Sequence, residues 1–101
     1  MSNNEAKIEE EIQEKGLNAP RLTPEAISDM CESQQYYVFP GTQTTVCCIT
    51  LTNGFTVTGE SACVSKENFD ELIGREISFE NARDKIWLLE GYLLNHTLNS
   101  K

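Results

Sequence analysis

Arg75 and Arg83 stand eight residues apart in a stretch that also holds Lys85. A guanidinium presents paired N–H donors in a planar fork suited to phosphate. In a chain with eight Lys and Arg against sixteen Asp and Glu, the two arginines form a candidate anion site. Local ion pairing is the competing role, since Glu71 can meet Arg75, and Glu76 or Glu80 can meet Arg83, on one helix face. Asn68 and Asn81 add amides that could touch a ligand or cap and turn the chain. Asn81 lies deep enough in a helical stretch that its amide needs some partner. Tyr36, Tyr37, Phe39, Phe55, Phe79, Trp87 and Tyr92 could stack a base, and equally could fill a core or an interface.

Little in the chain has the pattern of catalysis. Glu76, Glu80 and Asp84 recur every fourth residue, which lines three carboxylates along one helical side. That row could bind a cation, but no histidine or second acidic strand faces it, and a solvated helix surface explains it. No Ser-His-Asp set, recurring metal-ligand spacing or nucleotide-binding glycine loop is present. Cys31, Cys47, Cys48 and Cys63 could form two disulfides in an oxidising compartment, whereas a cytosolic address favours free thiols. Cys47 and Cys48 are adjacent in a strand-like run, so their side chains point to opposite faces. Buried small hydrophobes is the plain reading of them, and the lone His96 adds no ligand set. These residues describe a binding protein with no cofactor and no metal.

The elements that must carry these groups read as α+β. Residues 4 to 15 are good helix formers with Ile8 and Ile12 one turn apart and Gly16 as a stop. So thin a stripe makes a marginal helix, either a frayed arm or a segment that docks on a partner subunit. Thr23 caps the next helix, with Pro24 in its first position and Glu25 near its positive end; it should end near Glu32 or Ser33. Tyr36 to Phe39 form an extended piece before the Pro40-Gly41 turn. Residues 44 to 52 and 55 to 61 form a β-hairpin about Asn53-Gly54, a type I′ turn in which Thr50 faces Val57 and Ile49 faces Thr58. Because a two-stranded ribbon does not support itself, helices or another subunit must cover it. Ser65 starts a short helix that Gly74 bends or breaks. From Arg75 to about Asn95 runs the longest helix, with Phe79, Ala82, Ile86, Leu89 and Leu93 on its apolar stripe. Trp87 and Tyr92 widen that face beyond what one hairpin can cover, as an oligomer would require.

The length of 101 residues suits one modest core. We expect residues 1 to 20 to be an acidic arm, helical or flexible, and residues 21 to 101 a single α+β domain. A net charge of −8 disfavours DNA or RNA, whose affinity depends on neutralising several phosphates. It leaves room for a small phosphorylated ligand. The acidic, polar start is the reverse of a signal peptide, and no run reaches the roughly 18 apolar residues of a membrane span. The expected location is the cytoplasm of whatever cell makes the protein.

Several rigid words stand in order: Leu51 to Cys63 (LTNGFTVTGESAC), Asn68-Phe69-Asp70, Ile73-Gly74-Arg75, Glu80-Asn81-Ala82 through Lys85-Ile86-Trp87, and Leu89-Glu90-Gly91-Tyr92, with Arg21-Leu22-Thr23-Pro24-Glu25 upstream. Together, over residues 21 to 94, they resemble the small phage and prophage proteins of the gene-49/gene-66 family. The chain is also similar to phage anti-Thoeris proteins, signal sponges that hold the cyclic ADP-ribose variant made by a bacterial TIR-domain enzyme and keep it from its effector. This resemblance implies sequestration without turnover, a homo-oligomer up to a hexamer, and further sites for cyclic dinucleotides or trinucleotides. Chemistry and membership of these words single out Arg75, Arg83, Asn68 and Phe55 as ligand residues, in a pocket between subunits where an aromatic ring stacks adenine and arginine takes the diphosphate. Ser78 stands where many relatives carry Ala, a small change. Phe79 stands where a basic residue is common, which puts one phosphate contact in doubt. The alternative is an acidic interaction protein that blocks a host protein; a hydrolase of the same signals would need a nucleophile or metal that the sequence does not organise.

Overall fold

A computed structural model describes residues 5–16 and 20–100. Helix α1 spans Glu5–Glu14, α2 Pro24–Met30 and α3 Glu71–Asn99; strands β1 (Cys31–Val38), β2 (Thr44–Leu51) and β3 (Thr56–Ala62) lie between α2 and α3. The strands form one antiparallel sheet in the order β1-β2-β3, and α3 lies across its inner face. The architecture is therefore the expected α+β, with the Tyr36–Phe39 segment recruited as a third strand beside the hairpin. A third strand is what gives the ribbon enough partnered surface to persist.

Alternation along β2 divides the sheet. Thr45, Cys47, Ile49 and Leu51 are buried against α3, while Cys48 lies on the other face and is half-exposed. The core joins Ile27 of α2, Cys47, Ile49 and Leu51 of β2, Val57 of β3, and Ala82 and Ile86 of α3. All four cysteines are free. Burial pushes the Cys47 and Cys31 thiols above their ordinary range, so both are neutral, inert thiols at pH 7.

The hairpin register differs from the sequence expectation by one residue: Thr50 pairs with Thr56, Ile49 with Val57, Cys48 with Thr58 and Cys47 with Gly59. Within the hairpin loop only Gly54 has a positive φ, at 91°. The Gly54 N–H donates to the Leu51 carbonyl and the Leu51 N–H to the Phe55 carbonyl. Thr52, Asn53 and Gly54 thus make a three-residue loop whose last residue is left-handed, and Asn53 turns its side chain to accept from the Phe55 N–H at 3.0 Å. Packing decides this register. A one-residue slip exchanges the faces of a strand, and this register sets Val57 and Gly59 beside Ile49 and Cys47 under α3.

Two further boundaries differ. Helix α2 stops at Met30 and Cys31 is already extended, because Cys31 is drawn into pairing with Leu51. Gly74 does not break a helix: after a 3-10 turn at Lys66–Asn68, α3 runs unbroken for 29 residues from an Asp70 cap. The Asp70 carboxylate accepts from the Leu72 and Ile73 N–H groups. Gly74 is there for contact, since a Cβ would lie 2.7 Å from Thr45 Oγ1.

Beyond Ile86, α3 outruns the sheet. Leu88 and Tyr92 are each 74% exposed, and Leu89 and Leu93 are also open. The radius of gyration is 16.0 Å, against roughly 13 Å for a compact chain of this length.

Candidate functional site

Arg83 is the one charged side chain among the described residues that the fold buries, at 7% exposure. Its Nε donates to Glu5 Oε2 at 2.8 Å and its Nη2 to Glu5 Oε1 at 2.9 Å. The same Nη2 donates to the Pro24 carbonyl at 2.9 Å. Trp87, one turn along α3, donates its indole N–H to Glu5 Oε2 at 2.7 Å. The expected local partners, Glu76 and Glu80, are not the ones used. A carboxylate seventy-eight positions away takes the fork because Arg83 points inward to α2, where helix-surface acids do not reach.

This cradle is what anchors α1, which buries no residue of its own. Glu9, one turn after Glu5, accepts from Arg21 at 2.7 and 2.8 Å. The amino-terminal helix therefore docks on its own chain through two carboxylates, where the sequence leads one to expect a frayed arm or a contact with a partner subunit. Between α1, the Leu22–Pro24 segment and Trp87 lies an open cavity of about 280 Å³, walled by Ile8, Ile12, Leu22, Pro24 and Trp87 with Asp84 at its edge.

The docking has a pH signature. Burial opposes ionisation of Glu5, but the hydrogen bonds from Arg83 and Trp87 outweigh it and hold the carboxyl below its ordinary value. Hydrogen bonds from Arg21, then Gln13, hold Glu9 down from 4.5 to about 2. A carboxyl with a lower pKa in the folded state adds stability at pH above its unfolded value and loses it as pH falls through the folded one. The docking of α1 should therefore be constant at pH above 4.5 and weaken between there and about 2. Trp87 is the only tryptophan, so its emission reports the change; a transition near pH 6 would contradict this origin.

The other expected ligand residues lie elsewhere. Arg75 sits two turns before Arg83, about 12 Å along the axis. Its guanidinium lies over the Tyr36 ring, 5.4 Å from the centroid, and it meets Glu71 at 3.5 Å, the local pair expected from the sequence, with both side chains about half exposed. Asn68 ends the 3-10 turn before α3 and is exposed. Phe55 is exposed beside the hairpin loop, opposite Leu51. That pair is four residues along β2 from Cys47, the partner of Tyr36, or about 13 Å. Within one chain the four do not converge.

Asn81 finds the partner its position demands, donating to the Glu60 carbonyl at 2.8 Å and tying α3 to β3. Glu5 is the site residue that the sequence does not single out, and Trp87, a candidate there only for stacking a base, acts through its indole N–H. The four-residue step from Arg83 to Trp87 was legible as a shared helix face; the link to Glu5 was not. Among the described residues, no group of three or more His, Cys, Asp or Glu side chains could hold a metal ion, and no helix is long and apolar enough to cross a membrane.

No curated protein and no solved structure matches the chain. Residues 22–98, which run from the α2 cap through nearly all of α3 and include Arg75, Arg83 and Trp87, match the phage protein family of N4 Gp49 and phage Sf6 gene 66. The chain belongs to that phage protein family.

Proposed function

We propose that the protein is a phage-encoded anti-defence protein that sequesters a cyclic ADP-ribose-type immune signal in the host cytoplasm without degrading it. Arg75 is the observation that supports this most. Its guanidinium rests on an aromatic face and is restrained only by an exposed 3.5 Å contact with Glu71, so it can turn to a diphosphate at little cost. Phe55 offers an open ring for a base, and Asn68 an amide. Because Phe55 is remote from Arg75 within one chain, these residues would act together only across a boundary between copies. The exposed Leu88, Leu89, Tyr92 and Leu93 row is consistent with such an assembly.

Calorimetric titration with cyclic ADP-ribose isomers, including the glycocyclic forms, tests the reading, with mass spectrometry of heat-released ligand. Saturable binding with intact ligand is the expected result. Arg75→Ala should weaken it about tenfold, the loss of one charge-assisted contact. Altered ligand, or no binding by any isomer, would sink the proposal. A second reading, inhibition of a host protein through the acidic surface, is favoured by one observation: Arg21, Arg75 and Arg83 each already meet a glutamate. Under that reading a host protein is retained on the immobilised chain and no nucleotide binds.

A further inference from the structure

Three donors converge on one point: Arg83 Nε, Arg83 Nη2 and Trp87 Nε1, all within 2.9 Å of the Glu5 carboxylate. The Pro24 carbonyl also accepts from Arg83 Nη2, a tether to the chain that does not depend on Glu5. A guanidinium this buried requires an anionic partner. Arg83, Trp87 and Pro24 all fall inside the family match over residues 22–98, and Glu5 falls outside it. The cradle thus lies within the matched span, while the group that fills it comes from a helix outside that span with no fully buried residue. Beside the carboxylate, the cavity walled by Leu22, Pro24 and Trp87 continues as a mainly apolar slot, lined on its α1 side by Ile8 and Ile12, with the Glu9 and Asp84 side chains also on its wall.

We propose that the Arg83–Trp87 cradle is a binding site for an external oxyanion, a carboxylate or phosphate carried on an apolar body, and that Glu5 is its built-in competitor. The oxyanion takes the fork and the indole N–H, and the apolar body lies against Leu22, Pro24 and the Trp87 ring. With α1 docked the site is closed by a group of the same chemistry as its ligand. Lifting α1 opens the donors and the apolar slot together. The proposal is independent of any nucleotide signal, and its test uses none.

Trp87 reports on the site directly, so the experiment is a fluorescence titration of the full chain with benzoate and with phenyl phosphate, matched in their ring and differing in their oxyanion. The wild-type protein should respond weakly. Glu5→Gln keeps an acceptor for the indole but removes the charge, and should respond saturably with an apparent affinity at least about tenfold tighter, a shift of roughly 1.4 kcal/mol. Glu9→Ala loosens α1 while leaving the cradle untouched, and should give a smaller gain in the same direction. Adding Arg83→Ala to Glu5→Gln should abolish the response. The ligand that binds tighter identifies the oxyanion. If neither Glu5→Gln nor Glu9→Ala binds either ligand better than wild type, or if the response survives Arg83→Ala, the proposal is overturned.

Discussion

Gly59→Ala should cost about 3 kcal/mol or more, the upper end of what overpacking does and a large part of the roughly 5–15 kcal/mol that holds a typical domain. A Cβ at Gly59 would lie 2.2 Å from the Ala82 nitrogen, 2.5 Å from the Ser78 carbonyl oxygen and 2.7 Å from the Asn81 carbonyl carbon. All three are backbone atoms of α3, so no side chain can rotate away and the whole helix must lift. Lifting would also strain the Asn81–Glu60 hydrogen bond and separate Ala82 and Ile86 from Ile49 and Val57. Gly91→Ala is the matched control: its Cβ would meet only Leu22 Cδ1, at 4.0 Å. In a helix interior that exchange should stabilise by up to about 1 kcal/mol. Urea denaturation of both variants decides the matter. Equal midpoints for Gly59→Ala and wild type would mean that α3 does not rest on β3 as described.

The same glycine shows how far the sequence could be read. Thr23-Pro24 announced a helix start, and Thr23 Oγ1 does accept from the Ala26 N–H. The β-branched runs announced β2 and β3, and the apolar repeat from Phe79 announced α3. The Asn53-Gly54 pair did not fix the register. A two-residue type I′ loop and a three-residue loop ending in a left-handed glycine both place Gly54 where it is. What separates them is which side of β3 meets α3, a fact of tertiary packing. The alternation of Thr56, Thr58 and Glu60 with Val57 and Gly59 held that information, because small and apolar residues alternate there with polar ones. Gly74 misled for a related reason. Intrinsic propensity reads a helical glycine as a weakness, whereas here it admits Thr45.

For the candidate site, the sequence singled out Arg83 and could not say what faced it. Local rules search three or four residues along a helix, and the partner lies near the other end of the chain. Arg75 was the more legible of the two arginines, since its ion partner Glu71 is four residues away. The two proposed sites divide along the same contrast: Arg75 is restrained by an exposed contact with Glu71, whereas Arg83 would meet an external anion only if Glu5 left.

Arg83→Ala should undock α1 and lower stability at pH 7 by about 2–3 kcal/mol, somewhat below the 3–5 kcal/mol typical of a broken buried pair. The reduction follows from where the two charges sit. The side chains are 8% exposed for Arg83 and 18% for Glu5, and Glu5 lies in the first turn of a helix with no fully buried residue. Once Arg83 is gone, α1 can swing away and hydrate the carboxylate, so the loss stops near the docking free energy of that helix. Glu5→Ala is the more damaging direction while α1 stays in place, because it strands a guanidinium with only the Pro24 carbonyl. Its cost falls if water or an anion reaches Arg83. Two measurements check the account together. In the Arg83→Ala protein, amide exchange across α1 should approach the unprotected rate while β2 and Ala82–Ile86 stay protected. Trp87 emission should shift to longer wavelength as its indole loses Glu5. Protection of α1 equal to wild type would show that its docking rests on the Glu9–Arg21 pair and not on the cradle.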